Sequence, residues 1–420
     1  MPAAKNLWGV LGLRCLRCSS EQELAEPGYV CGCGGNLQVI YDYPELKKRV
    51  TRKRLQRSSD RSIWRYADLL PTPAICHRPR PRIIRTPLYK AERLGRALGL
   101  KNVFIKDDGR NPSASFKDRA SAVAVARALD MGRRVVAGAS TGNAASSLAC
   151  MAAGTNLKTI VFVPETAPAA KLAQLLIFGA VVVAVKGTYD DAFDLCLKAA
   201  AEFGWYNRNT GYNAFTREGK KTCSFEIVEQ LHWNVPDLVF VPVGDGNIIS
   251  GIWKGFRDFF ALGLIDSLPR LVAVQAAKSD AIARAFDGDG ALRPVSGKTI
   301  ADSISVSLPR DGEAAVQALR ESEGFAVKVT DREILQAMKD MARMEGVFAE
   351  PAGAAAAAGL RKAAARKLVK PNEKIVVLAT GNGLKDTDSA RRAAGKPHLI
   401  RPDIADLKRL VKRLNRGDKL

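Results

Sequence analysis

No apolar run in this sequence reaches the length of a membrane-spanning helix, so no transmembrane anchor is expected. The opening stretch MPAAKNLWGVLGL has a short apolar patch but no h-region or cleavage site, so no signal peptide is expected and a cytoplasmic location is. Histidine is scarce. His77, His232 and His398 are the three present, and all fall outside the motifs below. Cysteine is not dense either: of eight, four cluster near the N-terminus and four are scattered, which is not the spacing of a secreted disulfide scaffold. No glycine-rich turn ends in GK[ST] or completes a dinucleotide fingerprint, and no internal repeat is evident.

What the chain does have is positive charge: 65 Lys and Arg against 43 Asp and Glu, a net +22 over 420 residues. Such an excess suits nucleic-acid binding or the handling of phosphorylated ligands. The basic residues are spread along the chain, their densest clusters (47–57 and 408–419) lie near the ends, and no nucleic-acid motif stands between them. A small phosphorylated ligand is therefore expected, and no nucleic-acid or membrane partner. The length allows two or three domains, and 47% apolar with 26% charged residues excludes wholesale disorder.

Residues 1–45 read as a small module of cysteine pairs and glycines around short strands. Residues 46–85, basic and then proline-rich, read as an extended linker to the core. From about 101 short β-branched runs alternate with helical stretches. NVFIKDD reads as a strand, and SFKDRASAVAVARALDMG as a helix closed by Gly132. RVVAGAS, KTIVFVP, AVVVAV, DLVFVPVG, LVAVQA and KIVVLATG read as further strands. This is an α/β chain with parallel-type sheets flanked by helices. Residues 133–210 are expected to form a small α/β domain, and 46–132 with 211–420 a larger one.

Four segments near strand ends carry chemistry, where open α/β sheets bind ligands. In NPSASFKDRA (111–120), Lys117 opens a helix behind Phe116. A solvated lysine is the ordinary case, whereas a buried one has a lowered pKa and can act as nucleophile and base. The turn Ser140-Thr141-Gly142-Asn143 opens another helix. It could hold a carboxylate on its N–H groups, or Ser140 or Thr141 could simply cap that helix. VPVGDGNIISGI (241–252) places Gly244, Asp245, Gly246, Asn247 and Ile248 between strand and helix, where peptide N–H groups and a helix dipole can meet a phosphate. LATGNGLKD (378–386) ends a strand with Thr380 facing the crevice.

Taken in this order, NPSASFKDRA, STGN, EGKKT, VPVGDGN, FAEPAGA and ATGNGLKD resemble the threonine synthase branch of the fold-type II pyridoxal-phosphate enzymes. The resemblance implies that Lys117 carries the cofactor as a Schiff base and that Asn143 meets its 3-oxygen. It implies that Gly244 to Ile248 hold the 5′-phosphate, that Ser140, Thr141 and Gly142 hold the substrate carboxylate, and that Thr380 faces the pyridine nitrogen. A neutral hydroxyl there leaves the ring a weaker electron sink, which suits elimination and replacement over transamination. The implied reaction turns O-phosphohomoserine and water into threonine and phosphate, in a homodimer. The chain departs from the family in three places. Thr216 stands where an arginine commonly binds the substrate phosphate, and Arg217, one residue later, becomes the candidate for that role. The phosphate loop GDGN is one residue shorter, and Asn382 replaces a common histidine. Three further readings therefore stand beside threonine synthase: β-replacement on O-phosphoserine as in cysteate synthases, a serine/threonine dehydratase, and a non-catalytic nucleic-acid binder.

Cys15-x2-Cys18 has metal-knuckle spacing, and Cys31-Gly-Cys33-Gly-Gly follows twelve residues later. Four thiolates could hold one structural Zn²⁺ in a zinc-ribbon-like module too short to bury much core of its own.

Overall fold

A computed structural model describes residues 9–24, 29–72, 78–167 and 169–417. His77 lies outside them, as does part of the proline-rich stretch. The strands are β1 (Val10–Cys15), β2 (Glu21–Gln22), β3 (Leu37–Tyr41), β4 (Leu88–Lys90), β5 (Asn102–Asp107), β6 (Val135–Ala139), β7 (Lys158–Pro164), β8 (Val181–Val185), β9 (Tyr206–Asn207), β10 (Leu238–Pro242), β11 (Arg270–Ala276), β12 (Phe325–Val329) and β13 (Lys374–Ala379). They form three sheets, ordered β2-β1-β3, β12-β11-β10-β13-β5-β4 and β8-β7-β6-β9.

The six-stranded sheet is parallel except for β4, which adds antiparallel to β5 at one edge. Its strands are continuous apolar runs because both faces are covered by helices. Val239, Val241, Leu271, Ala273, Val376 and Leu378 enter one core, and Leu238, Phe240, Val272, Val274, Ile375 and Val377 the other. The four-stranded sheet is parallel throughout. The N-terminal sheet is antiparallel and small.

The first part of the expected linker is not extended. Thr51 accepts from Arg54 N–H and Ser62 from Trp64 N–H, capping a helix at Arg52–Arg57 and a 3₁₀ turn at Ile63–Leu69. Ile63, Trp64 and Tyr66 are buried, and Tyr66 lies 5.0 Å from the ring of Phe225. Tyr66 finds this partner more than 150 positions away, which local basic composition does not reveal.

Candidate active site

The four chemical segments follow the carboxyl ends of β5, β6, β10 and β13, and three of these strands are neighbours in one sheet. The turn bearing Lys117 is stitched to the turn after β13. Phe116 N–H donates to Thr380 O at 2.9 Å, and Asn382 N–H to Ala114 O at 3.0 Å. Ala114 holds φ +62°, a left-handed conformation costly for alanine and found where function constrains a chain. Lys117 begins the helix Lys117–Asp130 and keeps part of its side chain open, while its ammonium lies deep among protein groups. Among the described residues its Nζ makes no hydrogen bond or ion pair. Burial pushes that ammonium down to about 8, against the opposing pull of Asp245 and Glu350.

Beneath Lys117 the helix is anchored by charge. Arg119 donates to Asp108 at 2.6 Å and to both oxygens of Glu226 at 2.7 Å, and Lys106 reaches Glu226 at 2.6 Å. Burial alone would raise the Glu226 carboxyl, but Arg119 and Lys106 overcome it and hold it down to about 2.

The helix Asn143–Ala153 is capped by Gly142 with no side-chain bond, so neither Ser140 nor Thr141 serves as its cap. Ser140 Oγ instead accepts from Gly142 N–H at 3.1 Å, inside the turn. Asn143 Nδ2 donates to Ser303 Oγ at 3.1 Å and to Glu350 Oε1 at 2.7 Å. Glu350 in turn donates its N–H to Gly381 O at 2.9 Å, so the 140–143 and 380–382 turns share one partner. Burial lifts the Glu350 carboxyl to about 7, partly offset by Lys385 and by the bond from Asn143. Sequence reasoning gave Glu350 no role. Its place in FAEPAGA, one of the matching segments, was the available signal.

At the third turn, Gly246 caps the helix Asn247–Ala261 with φ +90°. A Cβ on Gly246 would lie 2.6 Å from Asp311 O, and one on Gly244 2.8 Å from Ile304 Cα, so both glycines are required by the strand of chain lying over them. Among the described residues, the N–H groups of Gly244, Asp245, Gly246 and Asn247 have no acceptor. Asn247 Nδ2 donates to Asp311 Oδ2 at 2.7 Å, and Lys220 Nζ donates to Asn247 Oδ1. Arg217, the expected phosphate cation, is committed elsewhere. Its Nη2 pairs with Asp311 at 2.5 Å and its Nη1 turns to Leu37 O in the N-terminal module. Lys220 and Arg208 are two further buried cations that spacing did not flag.

Known proteins decide the family. A model described as "Pyridoxal-phosphate dependent enzyme" matches residues 80–381. Threonine synthase from Methanocaldococcus jannaschii is 42% identical over 96% of this chain and 99% of its own, and that of Methanosarcina acetivorans 38% over 95% and 98%. It belongs to the threonine synthase family of pyridoxal-phosphate dependent enzymes. The structure of processed threonine deaminase isoform 2 from Solanum lycopersicum superposes with a TM-score of 0.66 at 24% identity, over 79% of this chain and 92% of that one, which speaks for the fold.

The residues present fit a pyridoxal-phosphate enzyme. Lys117, an amine without a partner among the described residues and held at about 8, stands past the carboxyl end of β5. Four peptide N–H groups without acceptors stand at the start of a fifteen-residue helix, where a phosphate gains from both the N–H groups and the dipole.

In the N-terminal module the sulfurs of Cys15, Cys18, Cys31 and Cys33 all lie within 4.8 Å of one another. Cys15 and Cys33 approach to 3.5 Å and Cys18 and Cys31 to 3.6 Å, spacings that suit four thiolates around one tetrahedral ion.

Proposed function

We propose that the protein is a threonine synthase, converting O-phospho-L-homoserine and water to L-threonine and phosphate. The observation that carries this reading is the near full-length likeness to curated threonine synthases, together with an unpartnered Lys117 at the carboxyl ends of the strands.

Pyridoxal phosphate, when bound, withdraws electrons from the α-carbon of the amino acid. Lys117 would hold the cofactor and, once released from it, move protons at Cα, Cβ and Cγ. An amine near 8 is poised for both directions of transfer near neutrality. Asn143, fixed by Glu350 and Ser303, would meet the cofactor's 3-oxygen, and Gly244 to Ile248 its 5′-phosphate. Phe116 would back the site and Thr380 would offer a neutral hydroxyl to the ring nitrogen. Ser140, Thr141 and Gly142 would receive the substrate carboxylate. The bond from Cγ to the phosphate oxygen breaks and phosphate leaves; Cβ gives up one proton and Cγ gains one, while water supplies the hydroxyl at Cβ and its remaining proton goes to the departing phosphate.

Four sulfurs in reach of one another support a structural Zn²⁺ at Cys15, Cys18, Cys31 and Cys33. The separate sheets support a Cys-rich module at 1–45, a small domain at 133–210, and a large cofactor domain from 46–132 and 211–420. The family resemblance supports a homodimer, and the N-terminal sequence, in which no signal peptide is read, supports a cytoplasmic location; no described helix is long and apolar enough to cross a membrane. Light scattering tests the dimer.

Phosphate release by the purified holoenzyme tests the substrate. Threonine from O-phosphohomoserine, with little turnover of O-phosphoserine, is the expected result. Release from O-phosphoserine alone would replace the reading with β-replacement.

A further inference from the structure

Arg208 follows β9, which pairs Tyr206 with Val136 and Asn207 with Ala137 of β6. It therefore emerges at the carboxyl end of the small sheet, beside the 140–143 turn, and Ala139 N–H donates to the next residue, Asn209, at 2.7 Å. The side chain is 2% exposed. Nε donates to Ser121 Oγ at 3.2 Å and Nη1 to Thr210 Oγ1 at 2.8 Å. Nη2 is buried with no partner, and among the described residues no carboxylate forms an ion pair with this guanidinium. An arginine left so is unusual, since a buried cation is costly unless paired and its donors satisfied.

Lys220 ends the helix Phe215–Lys220, close enough for its ammonium to feel the charge of Arg208. It is fully buried, and among the described residues its ammonium has the amide oxygen of Asn247 but no ion pair. Burial first, then the positive fields of Lys117 and Arg208, hold that ammonium well below its ordinary range, although Asp311 and Asp245 pull the other way. Arg208 is likewise pushed down to about 10 by burial, and it depresses Lys117 in turn. Three cations thus feel one another's charge, and among the described residues none of the three has an ion-pair partner of its own. A dianion is the missing counter-charge. Thr216, where the family resemblance implies an arginine, has its hydroxyl occupied with Asn213 O at 2.8 Å, and Arg217 belongs to Asp311.

We propose that Arg208 receives the phosphoryl group of the substrate and supplies the specificity for a phosphorylated amino acid. This deepens the threonine synthase reading and rests on it. The cofactor's own phosphate has the N–H groups at Gly244 to Asn247, on the large-domain side, whereas Arg208 stands by the carboxylate turn of the small sheet. A planar guanidinium with a free edge suits a phosphoryl oxygen pair.

The test uses holoenzyme: wild type, Arg208→Gln and Arg208→Lys. Calorimetry measures the binding of inorganic phosphate, steady-state kinetics give kcat and KM for O-phosphohomoserine, and visible absorbance reports bound cofactor. Arg208→Gln is expected to keep the absorbance while weakening phosphate binding and raising KM by about 10- to 100-fold, the range for a lost charge-assisted bond. Arg208→Lys recovers part of that loss. Unchanged phosphate affinity and KM in Arg208→Gln overturn the proposal. So does a loss of absorbance that added pyridoxal phosphate restores, because Arg208 would then serve the cofactor. If the glutamine variant does not fold, Arg208→Lys decides: weaker phosphate binding with intact absorbance supports the role, and unchanged binding overturns it. If wild-type holoenzyme makes no threonine yet loses phosphate binding on Arg208→Gln, the anion receptor stands and the threonine synthase reading fails.

Discussion

At the scale of single residues, two buried groups near the carboxyl ends of the strands titrate far from their ordinary ranges, Lys117 and Glu350. As the proposed cofactor lysine, Lys117 would react as the free amine, and with burial holding it down to about 8 the amine fraction grows about tenfold per pH unit below 8 and levels off above it. The rate at which apoenzyme captures pyridoxal phosphate, followed by stopped-flow absorbance, should rise with pH in that way. A flat profile between pH 6 and 8 would contradict it. Lys117→Ala should show no lysine-linked cofactor absorbance at any pH. Glu350 behaves oppositely in stability. Its folded pKa of about 7 lies above the ordinary 4.5, so its favourable contribution is complete below about 4.5 and is lost as pH rises through about 7. Apoenzyme should therefore lose roughly 3 kcal/mol of stability across that window, since each tenfold change in proton affinity is worth about 1.4 kcal/mol. Denaturant melts of Glu350→Gln should lack this component. Lys117 was legible because its segment carries its own signature. Glu350, Arg208 and Lys220 were not, because their meaning lies in partners such as Asn143, 207 positions from Glu350.

At the scale of elements, the site depends on how closely the helix Phe215–Lys220 approaches Lys117–Asp130. A Cβ on Gly219 would lie 1.9 Å from Arg119 O, so the backbones meet with no room for a methyl group. Gly219→Ala should force the helices apart and lower stability by about 2–3 kcal/mol, with weaker cofactor retention, both readable by thermal melts and absorbance. Removing one partner from the buried charge network should cost more. Glu226→Gln leaves Arg119 and Lys106 without their shared carboxylate, and a loss of about 3–5 kcal/mol is expected in denaturant unfolding. The alternating strands and helices were readable because doubly covered parallel strands are unbroken apolar runs. The segment after the module was misread as extended. Its helices are short, and their stability comes from contacts such as Tyr66 OH to Glu229 at 2.7 Å rather than from local pattern.

At the scale of the whole molecule, Asp311 joins the module to the 244–248 turn and its helix. It accepts from Asn36 of the module at 2.9 Å, from Arg217 at 2.5 Å, and from Asn247 and Ser250 at 2.7 Å each. Arg17 adds an ion pair to Glu313 at 2.6 Å, and Tyr41 OH donates to Glu218 at 2.6 Å. If the four cysteines hold Zn²⁺, its removal should be felt at the phosphate loop. Chelation under mild denaturant should release about one Zn²⁺ per chain and weaken pyridoxal-phosphate affinity by several-fold. Metal loss with unchanged cofactor affinity would show that the module stands apart from the loop. None of this coupling was legible beforehand: the cysteine spacing announced a module, but nothing in it named the loop against which the module docks.

The most direct test of the overall account is turnover of O-phosphohomoserine by holoenzyme in ¹⁸O-labelled water, with mass spectrometry of both products. Cleavage between Cγ and oxygen followed by water addition at Cβ predicts threonine carrying one ¹⁸O and phosphate carrying none. Label in phosphate, with homoserine as the other product, would mean simple phosphate-ester hydrolysis and would contradict the account.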